Sequence, residues 1–387
     1  MAEKSPKSID RSNRVIPHCR LEKEKIHQLY EFGKKLGQGS FGVVCEAVSL
    51  ASGQMWAVKI INKEKAGSSG VKLLEREVSI LKKVQHEHII HLEEILETPE
   101  KMYLVIELAD KGELADLHRS RTHLNEDEAK TVLRRLASAI VYLHKADIVH
   151  RDLKLENILL AENPKDKDDQ LYLKVTDFGL SVVMGGVGQD NMMQTFCGTP
   201  MYMSPEIIDS KKTYSQQCDV WAMGVITYMI INGSPPFQAK DEEALYSAIK
   251  QGDLDFSSAA WVDISEEAKS CIHGMLKVNP AHRLTAKEVM DHAWITGAAA
   301  GHASQPTNVL EMMKQWKDEL YDDTSSLASA STLSVARRLS LDVAEQPRRE
   351  SGLLKIAEDA GSDEAAGSRH GNDKRSPSKT PSGLVHG

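Results

Sequence analysis

The sequence predicts an α+β fold with two lobes: a small N-terminal lobe of antiparallel strands with one main helix, then a larger, mostly helical C-terminal lobe. Three observations predict it. "YEFGKKLGQGSFGVVCEAVSL" and "QMWAVKII" alternate apolar and polar residues around glycines, the period of twisted strands. The period becomes helical at "VKLLEREVSILKKV", and helical patterns dominate after Gly112. With 387 residues, 41% of them hydrophobic, the chain is long enough to bury real cores, which excludes disorder throughout.

In chain order, residues 1–29 mix charges with Ser, Pro and His and read as a flexible leader that ends in a short helix. The packed domain is expected over 30–295, with the N-lobe at 30–108 and the C-lobe at 112–295. "VKLLEREVSILKKV" puts Val71, Leu74, Val78 and Leu81 on one helix face, and "KMYLVIEL" is a short apolar run of strand type. "NEDEAKTVLRRLASAIVYLH" opens with Asn125 as N-cap and Glu128 three places later, the spacing of a capping box. "CDVWAMGVITYMIING" is apolar on nearly every side and is expected to be buried. Residues 296–322 hold an amphipathic segment, with Val309, Met312, Met313, Trp316 and Leu320 at helical spacing. Residues 323–387 contain no aromatic residue and read as a disordered, Ser-rich tail that cannot offset its ordering entropy.

The formal net charge of -8 argues against a nucleic-acid surface. Cys19, Cys45, Cys197, Cys218 and Cys271 are scattered without CxxC pairs, so reduced thiols are expected and a zinc site is not. "MAEKSPKSID" has no apolar core, and no run approaches the roughly 18 apolar residues that span a bilayer. A cytoplasmic location with access to the nucleus is the expectation, with no membrane partner.

"GQGSFG" carries Gly37, Gly39 and Gly42 in a GxGxxG pattern, which alone fits a dinucleotide turn or a phosphate-covering hairpin. A dinucleotide fold wants a helix after the glycines and an acidic residue about 20 positions on. Here strand residues Val43 and Val44 follow, and Lys59 in "AVKI" stands at that distance, where a cation suits phosphates. "HRDLKLEN" (150–157), "DFG" (177–179) and "CGTPMYMSPE" (197–206) then arrive in order. On these motifs residues 30 to about 295 resemble the eukaryotic protein kinases, within them the calcium/calmodulin-dependent group, and the resemblance implies the bilobal protein kinase fold.

That resemblance implies ATP and Mg2+ as cofactors and transfer of the γ-phosphoryl group to Ser/Thr hydroxyls of proteins. Such a transfer needs a polyanion held in line with an alcohol while its developing charge is neutralised. Gly37, Gly39 and Gly42 let backbone N–H groups approach phosphates, Lys59 would meet the α- and β-phosphates, and Glu77 would fix Lys59, with Glu75 its close competitor. Asp177 and Asn157 are the implied magnesium ligands, since that cation takes hard oxygen donors. Asp152 is the implied base; an aspartate of ordinary pKa is a weak base toward an alcohol, so its contribution is mostly orientation. Lys154 would balance charge on the transferring group, and lysine at that place is typical of serine/threonine specificity. The implied adenine pocket is Leu36, Val44, Ala57, Ile106, the hinge Glu107 to Ala109, and Leu159. His150, the pair Glu206–Arg283 and Asp219 are given structural roles. "SPE" and Leu155 depart from the commoner residues but leave each polar catalytic group in place, and the insert "AENPKDKDDQ" (161–170) reads as a surface loop without function.

Arg151 is implied to receive a phosphate from the activation segment, with Thr195 the expected modified residue and an upstream activating kinase the expected partner. Thr199 is implied to contact Asp152 and Lys154. Glu113 and Glu156 match positions that read arginine three places before the acceptor, and Arg337–Ser340 and Arg348–Ser351 have that spacing. Ser340 and Ser351 are therefore expected autophosphorylation or pseudosubstrate sites, and substrates are expected to carry basic residues before Ser/Thr. In "LEMMKQWKDEL", Lys314 and Lys317 are offset by Glu311, Asp318 and Glu319, so calmodulin is not expected and docking on the helical lobe is. The alternative to an active enzyme is a kinase-shaped scaffold whose nucleotide pocket acts as a switch.

Overall fold

The computed structural model describes residues 15–22, 25–38, 42–184, 199–209 and 215–297. Gly39, Thr195, Ser340, Ser351, the segment 308–320 and the tail from 323 lie outside the described residues.

Among the described residues, strands β1 (His18–Arg20), β2 (Tyr30–Gln38), β3 (Gly42–Ser49), β4 (Met55–Asn62), β5 (Leu92–Glu97) and β6 (Lys101–Ile106) form one sheet in the order β1-β5-β6-β4-β3-β2. Every neighbouring pair in it is antiparallel except β1 with β5, which is parallel. Ala57 and Lys59 stand two apart on β4 and so face the same way; their cross-strand partners put Ile106 and Val44 on that face too. That face becomes the roof of the site. Gly42 is demanded by the sheet itself, because a Cβ there would lie 1.9 Å from the Ile60 carbonyl oxygen.

Helix α1 (Lys63–Leu81) starts at Asn62, whose side chain accepts a hydrogen bond from the Lys65 N–H. It breaks at Gly67, which takes φ 64 and ψ -177, a conformation that costs other residues dearly. Beyond the break, Leu74, Val78 and Leu81 are buried against the main core as the period requires.

The leader expected over residues 1–29 ends in a short helix as read, the 3-10 turn Lys25–Gln28, but an earlier part of it pairs with the sheet. His18–Arg20 pair with Ile95, Leu96 and Glu97 of β5, and Ile26, in the short 3-10 turn Lys25–Gln28, is only 1% exposed. Three residues are too few to show a period, and their partner strand is some 77 positions away, so composition alone hid the pairing.

The C-lobe contains α2 (Leu114–Arg121), α3 (Glu126–Lys145), short strands β7 (Ile148–Val149), β8 (Ile158–Leu160), β9 (Leu173–Val175) and β10 (Val182–Val183), and α4 (Pro205–Ile208). It continues with α5 (Gln217–Asn232), α6 (Glu242–Gln251), α7 (Glu266–Met275), α8 (Ala286–Asp291) and α9 (Ala293–Thr296). The capping box of α3 is closed on both sides: the Glu128 N–H donates to Asn125 Oδ1 and the Asn125 N–H to Glu128 Oε2, each at 3.0 Å. Residues Cys218 to Ile231 of α5 are all buried. None of the helices among the described residues is long and apolar enough to cross a membrane.

The 161–170 insert between β8 and β9 is more than a surface loop. Arg135 of α3 donates Nη1 and Nη2 to the two carboxyl oxygens of Asp169 at 2.9 and 2.6 Å, and Asn163 Nδ2 adds a bond of 2.7 Å. Burial alone would raise the Asp169 carboxyl, but these donors outweigh it and pull it down to about 2. In the same lobe, Arg283 grips Glu206 in two bonds of 2.7 and 2.9 Å with both side chains buried.

Candidate active site

Segments from both lobes converge on the cleft between them. From the roof, Lys59 Nζ donates to Glu77 Oε1 at 2.7 Å and Oε2 at 3.0 Å. Glu77 is buried on α1, whereas Glu75 is exposed, so helix phase selects between the two candidates. Burial alone would push the Lys59 ammonium down; the carboxylate of Glu77 and the charge of Asp177 outweigh it and hold the pKa above the ordinary lysine value.

From below comes the loop after β7. Asp219 of α5 accepts the backbone N–H groups of His150 and Arg151, each at 2.9 Å, and a ring nitrogen of His144 at 2.9 Å. Its own burial would raise the Asp219 carboxyl, yet these bonds keep it below its ordinary value, so it stays an anion at the bottom of the loop. The hold has a purpose, because Arg151 sits at φ 72, a left-handed conformation that costs a non-glycine residue about 1–2 kcal/mol. Arg151 and His150 are both buried, and the His150 ring lies edge-on to Phe178 at 5.0 Å.

The turn that follows presents the polar groups. Lys154 Nζ is 2.9 Å from Asp152 Oδ2 and 3.3 Å from Thr199 Oγ1. Asn157 Nδ2 donates to the Asp152 carbonyl at 2.8 Å and to Asp152 Oδ2 at 3.0 Å. These bonds commit the amide nitrogen of Asn157 to Asp152 and leave its amide oxygen as the atom that could take a cation. Asp177, at φ 63 and exposed, accepts the Gly179 N–H at 3.3 Å while Phe178 behind it is fully buried. An exposed carboxylate near Lys59 and an amide oxygen fit a magnesium ion, which takes one or two protein oxygens and completes its shell with phosphate and water.

Val44, Ala57 and Ile106 share the roof face with Lys59, and Leu36 on β2 is 41% exposed. Gly37 leaves open space where a side chain would be. Leu159 on β8 pairs with Lys174 on β9 and bridges to Glu113. Ala109 packs half-buried against the main core. Glu113 sits at the start of α2, and the neighbouring charges of Asp116 and Glu156 add to its burial in raising its carboxyl above the usual range.

Sequence reasoning missed Lys174. Its ammonium meets Glu107 Oε1 at 2.7 Å beside a cavity of about 880 Å³ that Trp56, His91 and Tyr172 help to line, behind the link between the lobes. The signal was present: a lysine inside the apolar run "LYLKV" must be paired if that strand is buried.

The family model for the protein kinase domain matches residues 30–295. Serine/threonine-protein kinase 33 of Mus musculus is 51% identical over 336 residues, 86% of this chain and 68% of that protein. The protein of the same name from Bos taurus is 52% identical over 314 residues, 80% and 64% of the two chains, so this chain spans about two thirds of both relatives. Myosin light chain kinase A of Dictyostelium discoideum is 40% identical over 271 residues, 70% of this chain and 89% of that protein.

Proposed function

The chain belongs to the protein kinase family, as an ATP-dependent serine/threonine kinase, and from that premise we propose that it prefers substrates with arginine three residues before the acceptor and phosphorylates Ser340 and Ser351 of its own tail. The observation that carries the catalytic part is the cluster in which one carboxylate, Asp152, is held jointly by Lys154, at 2.9 Å, and Asn157, at 3.0 Å.

In this reading Lys59, oriented by Glu77, holds the α- and β-phosphates of ATP, and the face of Val44, Ala57 and Ile106 with Leu36 and Leu159 encloses the adenine. The hinge residues Glu107 to Ala109 meet its edge. Asp177 and Asn157 would hold magnesium, which, when bound, supplies charge neutralisation along the phosphates. Asp152 orients the acceptor hydroxyl in line with the γ-phosphorus and takes its proton as the new P–O bond forms and the bond to ADP breaks. Lys154, bridging to Thr199, balances the charge that builds on the transferred group.

Substrate preference is supported by the carboxylates of Glu113 and Glu156, whose mutual repulsion a guanidinium would relieve. Arg151 would receive a phosphate on Thr195, placed there by an upstream kinase. A cytoplasmic location with access to the nucleus belongs to the same proposal; the five cysteines, scattered without CxxC pairs, support a reducing compartment.

The test is a pair of peptides that differ in arginine or alanine three places before the serine. The arginine peptide is expected to show kcat/KM about 10- to 100-fold higher, the worth of one or two charge-assisted bonds. Equal rates would end the preference while leaving the kinase activity intact.

A further inference from the structure

The N-terminal segment before the kinase domain is tied to the helix that carries Glu77. β1 adds to the free edge of β5 in parallel: the Ile95 N–H donates to the Pro17 carbonyl at 2.9 Å and the Leu21 N–H to the Glu97 carbonyl at 2.7 Å. His18 Nε2 lies 2.9 Å from Glu97 Oε2. The other oxygen of the same carboxylate, Oε1, takes the ammonium of Lys63, the first residue of α1, which also donates to the Thr98 carbonyl at 2.8 Å. The bond from Lys63 above all, with that from His18 behind it, holds the Glu97 carboxyl below its usual value against the effect of burial. Ile16, just before β1, is partly buried against the main core, so the segment is also held by apolar contact.

Two features make this attachment adjustable. All three residues of β1 are exposed, so the strand is held by a short ladder, one shared carboxylate and the partly buried Ile16 and Leu21 that flank it. Helix α1 has a ready pivot at Gly67, between the turn that Lys63 anchors and the turns that carry Glu77.

We infer that residues 15–21 are a detachable strap that sets the position of α1, and through Glu77 the readiness of Lys59 for nucleotide, so that an extended peptide competing for the β5 edge would lower activity. The inference rests on the role given to the Lys59–Glu77 pair, and its occupant is the chain's own N-terminal segment. Strand addition suits the site because a free sheet edge offers backbone donors and acceptors to any extended segment.

The experiment uses the full chain with Leu21→Pro, which deletes the N–H given to Glu97, and separately with His18→Ala, which removes an exposed ring from the shared carboxylate. Amide hydrogen exchange of α1 is expected to speed up about five- to tenfold in both, with a rise in the KM for ATP of the same order, while α5 exchanges as before. A synthetic peptide of residues 15–22 should restore both readouts. Exchange of α1 and KM matching the unaltered chain in both variants would overturn the strap. Should Leu21→Pro loosen α5 as well, His18→Ala decides, since it touches no buried side chain. The exchange arm needs no catalysis, so an inactive full chain with strap-dependent α1 exchange would sink the catalytic reading and uphold the strap.

Discussion

Burial raises the carboxyl of Glu113, and the charges of Asp116 and Glu156 raise it further, so this residue takes up its proton at a higher pH than an ordinary glutamate. A protonated Glu113 offers a substrate arginine no charge. The advantage of arginine over alanine in the peptide pair should therefore be largest near neutral pH and shrink as pH falls through the raised Glu113 value, which a pH series of kcat/KM for both peptides would reveal; a ratio that stays constant to below the ordinary glutamate value of 4.5 would dissociate Glu113 from arginine reading. Ser204 poses the opposite problem. Its hydroxyl is fully buried and has no hydrogen-bond partner among the described residues, although it stands at the N-cap of α4, where a serine side chain commonly bonds the first turn. The "SPE" departure thus carries a desolvated hydroxyl, and Ser204→Ala should raise stability by about 1 kcal/mol. A shift of the urea midpoint upward at unchanged slope would bear this out, and a downward shift would mean that Ser204 has a bonded role in solution.

The insert at 161–170 behaves as an element through one carboxylate. The Asp169 carboxyl titrates in the folded protein at about 2, below its ordinary value, so the stabilisation it provides is complete above about pH 4 and is lost as pH falls toward 2. A shift of that size corresponds to about 2 kcal/mol. Asp169→Asn should therefore lower stability at pH 7 by roughly that amount, and the gap between variant and unaltered chain should close between pH 4 and pH 2; a gap that persists at pH 2 would contradict the ion-pair account. The sequence could not signal this anchor, because Arg135 and Asp169 lie 34 positions apart and each looks like a solvated charge. The same holds for β1 and for the break at Gly67. Local signals did better: the α1 face of Leu74, Val78 and Leu81, the Asn125–Glu128 box and the buried run of α5 all express a period or a spacing that physics demands within one element.

For the molecule as a whole, the fold class was legible because strand patterns broken by one helix give way to mainly helical patterns after Gly112, and the family because its motifs arrive in order. The cleft joins residues from β4, α1, the loop after β7 and the segment before α4, and only the fold brings them within bonding distance. Motif order named Lys59, Glu77, Asp152, Lys154, Asn157 and Thr199; the polar contacts among them, from 2.7 to 3.3 Å, are what the tertiary structure adds. Lys174 escaped notice, and with it the pairing of the hinge residue Glu107, because that ion pair belongs to no catalytic motif. The most direct test of the account is transfer of radiolabelled γ-phosphate from magnesium ATP to a serine peptide with arginine three places earlier, by the purified chain and by Asp152→Asn. The account predicts steady transfer by the unaltered chain and a fall of about 10²- to 10⁴-fold in kcat for the variant with little change in the KM for ATP. Equal turnover by the two, or none by the chain itself once its activation segment is phosphorylated, would contradict it.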